Sequence, residues 1–252
     1  MKFERLIPPA LLWRLQKKSR AAHETRLFSE LYGIFLKPGD LCFDIGANLG
    51  NRVRSFVKLG CRVVALEPQA YCFSLLQKEF SGQSDVVLIQ QAVGRETGER
   101  EIHVSRDHVL SSFSQEFIQQ TTASGRFAQS SWNETQMCQM TTMDQLIENY
   151  GMPRFVKIDV EGFEPEVVSG LTQAVPALSI EWVPEMPHNA RRCIEHLASL
   201  GDYEYCVSWA ETMKLSAKGW RSKESILRLI DEFAGETFLF GDIYARVRKG
   251  EG

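Results

Sequence analysis

From about residue 40 onward, short apolar runs alternate with stretches of helical periodicity. "LCFDIG" (41–46) reads as a buried strand, and residues 49–59 as a helix ending near Gly60. "RVVALEP" (62–68) is a second strand, stopped by Pro68. Residues 69–80 read as a helix with Leu75, Leu76 and Phe80 turned inward. A third strand spans 85–94, and "REIHV" (100–104) reads as an edge strand. A helix follows over 141–151, with Thr142 as its cap and Gly151 beyond its end. "RFVKIDVEG" (154–162) and "PALSIEWVP" (176–184) are the fourth and fifth strands. A helix over 188–200 leads to a sixth strand, 203–209. Residues 222–235 form the clearest amphipathic helix, capped by Ser222 and stopped by Gly235. Its apolar face is Ile226, Leu229, Ile230 and Phe233. The last strand is 242–247.

Near-continuous apolar strands alternating with helices imply an α/β domain built on a parallel sheet covered on both faces. Ligands of such sheets bind outside the carboxyl ends of the strands, where the strand order switches. Residues 40–252 read as this one domain, with insertions near 105–135 and 210–238. The first insertion is rich in Ser, Gln and Thr but carries Phe113, Phe117, Ile118, Phe127 and Trp132, aromatic and aliphatic groups that need burial. It therefore reads as partly helical rather than disordered. Residues 1–39 read as an N-terminal helical extension. It opens with a short amphipathic helix after Pro8-Pro9, with Leu11, Leu12 and Leu15 on one side and Arg14, Lys17, Lys18 and Arg20 around the rest. That helix either packs on the domain or makes peripheral contact with a membrane surface or a partner.

Composition narrows the field. The 252 residues are 44% apolar and 24% charged, and the formal net charge is -3, so bulk charge does not argue for a nucleic-acid partner. No run approaches the ~18 apolar residues of a membrane span. The opening residues lack a signal-peptide pattern. The six cysteines are scattered and form no metal-like cluster, which reads as buried thiols in a reducing, cytoplasmic compartment.

"FDIGANLGN" (43–51) then poses a chemical question. An acid, Asp44, stands just before a glycine turn, Gly46-x-x-x-Gly50. Dinucleotide dehydrogenases use GxGxxG here, so that a pyrophosphate can approach a helix N-terminus. A carboxylate at this point would repel a pyrophosphate. It suits a cofactor that carries positive charge and no phosphate, and S-adenosylmethionine (SAM) has both properties. Glu67 ends the second strand, where an acid can accept from both ribose hydroxyls. The alternative is a strand-ending Asp that caps the next helix and a Glu on a solvated turn.

With these residues in view, the chain resembles the FkbM-type SAM-dependent methyltransferases. "FDIGANLGN", "ALEPQAYCFSLL", "QQAVGRETGEREIHV", "TTMDQLI" and "FVKIDVEGFEPEVVSGL" resemble that family's motifs in order, over about residues 40–182, and "GDIYARV" is similar to its final strand. The resemblance implies a class I methyltransferase fold: a Rossmann-like, doubly wound, seven-stranded, mostly parallel sheet with helices on both faces. It also implies O-methylation of a hydroxyl on a sugar, lipid-linked glycan, polyketide or similar small-molecule acceptor. By position, Asp44, Gly46, Asn48 and Gly50 would form the turn against the methionine part. Glu67 would hold the ribose, Pro68 would fix the loop after it, and Gln91 and Ala92 would lie against the adenine. Asp159 would face the sulfonium and the acceptor.

Methyl transfer to an alcohol needs in-line alignment and a route for the hydroxyl proton, through a base or a metal. In an extended strand Lys157, Asp159 and Glu161 would share one side. In one reading Asp159 or Glu161 is the general base, with Lys157 positioning it. In a second, Asp159 and Glu161, with Glu181, hold a divalent cation. In a third, the row caps the following helix. His108, Ser111 and Ser112 are candidates for acceptor contact, and Glu181 and Trp182 for the wall of the acceptor pocket. His103 reads as a strand residue, and His23, His188 and His196 as surface residues. A nucleotide-dependent oxidoreductase is disfavoured by Asp44 and the missing GxGxxG. A non-catalytic scaffold on the same fold stays open, since a fold does not fix function. An N-methyltransferase stays open within the same class, although "DVEG" stands where the usual NPPY-like motif would be.

Overall fold

The computed structural model describes residues 9–210, 212–236 and 239–248, with side chains from residue 19 onward. Helix α1 (Pro9–Tyr32) precedes strand β1 (Leu41–Ile45). Then α2 (Asn51–Lys58), β2 (Arg62–Leu66), α3 (Ala70–Phe80) and β3 (Val86–Ile89) follow in alternation. Strands β4 (Ala92–Gly94) and β5 (Gly98–Val104) come next, then α4 (Gln115–Ala123) and β6 (Glu134–Thr142). After α5 (Met143–Tyr150) and β7 (Phe155–Ile158) comes the short α6 (Glu164–Val168). Strand β8 (Ala177–Trp182), α7 (Pro187–Leu200), β9 (Tyr203–Trp209), α8 (Lys223–Glu232) and β10 (Gly241–Val247) complete the order.

Seven strands form the main sheet, in the order β3-β2-β1-β7-β8-β10-β9. Only β10 runs against its neighbours, β8 and β9. The strand order reverses between β1 and β7, and this is where a doubly wound sheet opens a ligand crevice. Alternate residues feed two cores, as the period of a strand requires. Phe43, Ile45, Val156, Ile158, Leu178, Ile180 and Trp182 join one. Cys42, Ala65, Phe155 and Tyr244 join the other, together with Phe28, Leu31 and Tyr32 of α1 and Phe56 of α2. The side chains of Asp44, Lys157, Glu181 and Asp242 therefore emerge on the α1–α2 side of the sheet. Register agrees, for Asp44 pairs Lys157, Lys157 pairs Ser179, and Asp242 pairs Glu181.

Several elements differ from the sequence reading. The third strand is two strands, β3 and β4, broken at Gln90–Gln91 and placed in different sheets. "REIHV" is not the edge of the main sheet. It pairs with β6, a strand that the sequence did not announce, in a three-stranded sheet ordered β4-β6-β5. The fourth strand stops at Ile158, so Asp159 and Glu161 lie in the turn beyond it. Helix α1 spans 24 residues rather than a short opening segment. The expected apolar side at Leu11, Leu12 and Leu15 and the basic residues Arg14, Lys17 and Lys18 lie outside the described side chains. The caps stand as expected: Thr142 accepts from Gln145 N–H, and Ser222 from Ser225 N–H. All six cysteines are buried and unpaired. Among the described residues, no helix is long and apolar enough to cross a membrane.

Candidate active site

A cavity of about 660 Å³ opens at the carboxyl ends of β1, β2 and β7. Its floor begins with the glycine turn. Gly46 has φ 83°, and a Cβ there would stand 1.9 Å from the Asp159 carbonyl oxygen. The chains leaving β1 and β7 thus touch at a point that only glycine allows. Gly46 N–H and Ala47 N–H both donate to the Leu66 carbonyl, which pins the turn to β2. Gly50, at φ 77°, serves packing: a Cβ there would strike Phe80 of α3 at 2.6 Å.

Two acids face this turn differently. Glu67 lines the cavity and accepts from two backbone donors, Asn48 N–H at 2.8 Å and Gln69 N–H at 2.9 Å. Each carboxylate oxygen keeps a second lone pair for a ligand. Burial pushes the Glu67 carboxyl up to about 7, against the pull of these hydrogen bonds. Asp44 lies beneath the lining and is 1% exposed, and its Oδ2 has no hydrogen-bond partner. Burial also raises it to about 7, while the charges of Lys157 and Arg52 pull the other way. An orphaned buried carboxylate oxygen under a cavity calls for a cation or a donor from a ligand.

Asn48, Pro68, Gln91, Ala92, His108 and Ser111 all line the cavity. The break between β3 and β4 turns Gln91 and Ala92 toward it. The 105–112 loop is tied to the Glu67 turn through Gln69. Gln69 Nε2 and Asn48 Nδ2 both donate to the His108 carbonyl, and Ser111 Oγ donates to Gln69 Oε1 at 2.8 Å. His108 Nδ1 is buried without a partner. Ser112 is fully buried and does not line the cavity. Its hydroxyl donates to the Glu161 carbonyl at 2.5 Å and so holds the far turn in place.

That turn carries the densest chemistry. Lys157 is 1% exposed, and its Nζ donates to Asp159 Oδ2 at 3.0 Å and Asp242 Oδ1 at 3.1 Å. Beyond the strand, Glu161 at φ 52° and Gly162 at φ 88° take left-handed conformations in succession. For glutamate this is a strained backbone. Its surroundings enforce it: Glu164 Oε1 accepts from Val160 N–H and Gly162 N–H, and Asn189 Nδ2 donates to the Gly162 carbonyl. The result brings Asp159, Glu161 and Glu181 together on the cavity wall, with one oxygen of each within 4.8 Å of the others. Strand periodicity does not place these acids on one face, because β7 ends at Ile158 and the turn beyond it assembles the group. Burial alone would raise the Asp159 carboxyl. The charges of Lys157 and Arg52, with hydrogen bonds from Lys157 and Glu181, outweigh it and hold Asp159 below the ordinary range. Glu161 and Glu181 are pushed well up, by burial first and then by the neighbouring acids. The environment thus favours the ionised form at Asp159 and disfavours it at Glu161 and Glu181. Trp182 projects to the opposite face of the sheet, edge-on to Trp209, and does not line the cavity.

Sequence reasoning missed Gln69, Arg52 and the contribution of α1, which lines the cavity with Phe28. Nothing local announces such contacts, since α1 meets the turn across 24 or more positions of sequence, Phe28 against Arg52.

The strand order and the cavity at its switch point give the class I methyltransferase architecture. The model of the methyltransferase FkbM domain matches residues 44–206, and the chain belongs to that family. The chain is also similar to the solved O-methyltransferase from Bacillus cereus in complex with SAH, at 14% identity and TM-score 0.48, covering 96% of this chain and 93% of that one. It is similar to precorrin-6y C5,15-methyltransferase from Geobacter metallireducens, at 12% identity and TM-score 0.46, covering 89% and 86%. Both likenesses are distant. No curated protein matches the sequence.

The protein is a SAM-dependent methyltransferase. The residues present fit SAM in kind: Glu67 keeps lone pairs that could accept from ribose hydroxyls, Asp44 carries an oxygen with no partner among the described residues that would suit a cationic group, and the turn lacks the GxGxxG glycines of a pyrophosphate site.

Proposed function

We propose that the enzyme O-methylates a hydroxyl of a sugar, glycan, lipid or polyketide-type small molecule, with Asp159 as the general base. The carrying observation is the position of Asp159 beside Glu161 and Glu181 on the cavity wall, with its Oδ2 bound by the buried Lys157 Nζ at 3.0 Å. When bound, SAM supplies an electrophilic methyl on a sulfonium. Asp44 and the acidic wall would favour that cationic end, and Glu67 would hold the ribose. Asp159 would take the acceptor's hydroxyl proton. Lys157 fixes the Asp159 rotamer, and its second partner, Asp242, keeps the lysine charge balanced. His108 and Ser111 line the acceptor side, with Val109 exposed at the mouth. The net charge of -3 and the acidic wall argue for a small-molecule or glycan acceptor rather than nucleic acid.

A second reading is favoured by one observation. Three carboxylates within 4.8 Å also match the oxygen-ligand chemistry of magnesium or calcium. In that case the cation would acidify the acceptor hydroxyl. A screen of hydroxylated acceptors with radiolabelled SAM separates the two. Activity that survives exhaustive chelation and is lost in Asp159→Asn supports the base. Activity that chelation removes and magnesium restores supports the cation. Full activity in Asp159→Asn contradicts both.

A further inference from the structure

Among the described residues, Arg52 is the cation lining this cavity that no acid neutralises by direct contact. It stands in the first turn of α2 and lines the cavity. Its guanidinium lies over the Phe28 ring, 3.6 Å from the centroid, so α1 holds the planar group from one side. Its Nε is buried and, among the described residues, has no hydrogen-bond partner. Among the described residues, no carboxylate oxygen lies within salt-bridge distance of it. Other arginines of the structure do pair, as in Arg126–Glu185 at 2.7 Å and Arg246–Glu204 at 2.6 Å. Arg20, which also lines the cavity, pairs with Glu24 and is largely exposed. A half-buried, stacked guanidinium whose buried Nε has no partner among the described residues is arranged for a planar anion.

The cofactor supplies one. The amino-acid end of SAM carries an ammonium and a carboxylate, and the acids at the turn suit only the first. We propose that Arg52 binds the methionyl carboxylate of SAM, and that Phe28 of α1 is the positioning residue that holds its guanidinium in place. The N-terminal helix is then part of the cofactor site rather than an appendage. Charge placement agrees, because Asp44 and Asp159 lie close enough to Arg52 to feel its charge. The two ends of a zwitterion thus meet opposite charges side by side. The first turn of a helix adds a favourable field for an anion.

The test compares SAM with decarboxylated SAM, which keeps the sulfonium and amine and lacks only the carboxylate. Both are titrated calorimetrically into the full chain. Wild type should bind decarboxylated SAM about 10- to 100-fold more weakly, the range of one charge-assisted hydrogen-bond pair. Arg52→Ala should weaken SAM by a similar factor and leave decarboxylated SAM unchanged, so that the preference vanishes. Arg52→Lys should keep part of it. Phe28→Leu should reduce the preference in wild type and add nothing in Arg52→Ala, the non-additivity expected of a residue acting through another. Equal affinity of wild type for the two ligands would overturn the proposal without any variant. So would equal losses for both ligands in Arg52→Ala, which would assign the arginine to its neighbours alone. A folded wild type that binds neither ligand would refute the cofactor assignment as well.

Discussion

Lys157 Nζ and Asp159 Oδ2 lie 3.0 Å apart across the end of β7, with the lysine sealed under the cavity and the aspartate facing it. The pair joins the core to the chemistry. Lys157 is held charged despite burial, because Asp159 and Asp242 together outweigh the cost of desolvation. In return it keeps Asp159 ionised and in one orientation. Breaking a buried pair strands the remaining charge, at a cost of about 3–5 kcal/mol. Lys157→Met should therefore lower the free energy of unfolding by about that amount in urea titrations.

Where Lys157→Met still folds, its pH profile carries the sharper information. Removal of the lysine raises the Asp159 carboxyl from its depressed position. The acidic limb of kcat/KM should then move to higher pH, and kcat at neutral pH should fall by about 100-fold if Asp159 is the base. A profile whose acidic limb stays in place would show that another group governs it.

Asp44 and Glu67 give the unliganded protein a pH dependence of opposite sign. Both carboxyls are raised to about 7 by burial, with Lys157 and Arg52 opposing the rise at Asp44 and Asp159 and Glu67 reinforcing it. Between the ordinary carboxylate range and about 7 the folded state binds more protons than the unfolded chain. These two groups therefore make stability fall as pH rises through that window. A bound cation favours the ionised forms. The thermal stabilisation by SAM should grow from pH 5.5 to 7.5 (roughly the window set by these shifts), and Asp44→Asn should flatten the increase. Differential scanning calorimetry across this range would show it.

Gly162 and Gly46 make predictions that are steric. A Cβ on Gly162 would stand 2.5 Å from Phe117 Cβ, at a φ of 88°. Gly162→Ala should push the turn off α4, displace Glu161 and destabilise the fold by about 1–3 kcal/mol. Gly46→Ala places its Cβ against the Asp159 carbonyl and should abolish SAM binding. A Gly46→Ala protein with wild-type affinity would mean that β1 and β7 need not converge as described.

Gln69 offers a milder perturbation. Its side chain donates to the His108 carbonyl and accepts from Ser111, which ties the acceptor-side loop to the Glu67 turn. Gln69→Ala should raise the acceptor KM several-fold while changing kcat less, as measured by initial rates at saturating SAM.

Much of this arrangement was legible in the residues, and the parts that were not have physical reasons. β9 and the caps at Thr142 and Ser222 stand where the sequence put them, because capping residues and apolar runs are local signals. The break at Gln90–Gln91 was hidden because apolar residues continue on both sides of it. β6, "ETQMCQMTT", contains no Val, Ile or aromatic, and its outward Met137 is exposed. Its strand character comes from pairing with β5, a long-range effect. The acidic group was visible as residues but not as geometry: a left-handed turn at Glu161–Gly162 gathers it, and glutamate gives no hint of φ > 0. Arg52 looked like an ordinary helical charge in "NRVRSFVK" until α1 was folded against it.

The central claim is that this cavity binds SAM through the two acids at the ends of β1 and β2. Calorimetric titration of SAM into the purified full chain, repeated with Asp44→Ala and Glu67→Gln, tests it directly. The account predicts micromolar binding by wild type and at least a tenfold loss in each variant, with both variants folded. Unchanged affinity in both variants, or a folded wild type that takes up no SAM, would contradict it.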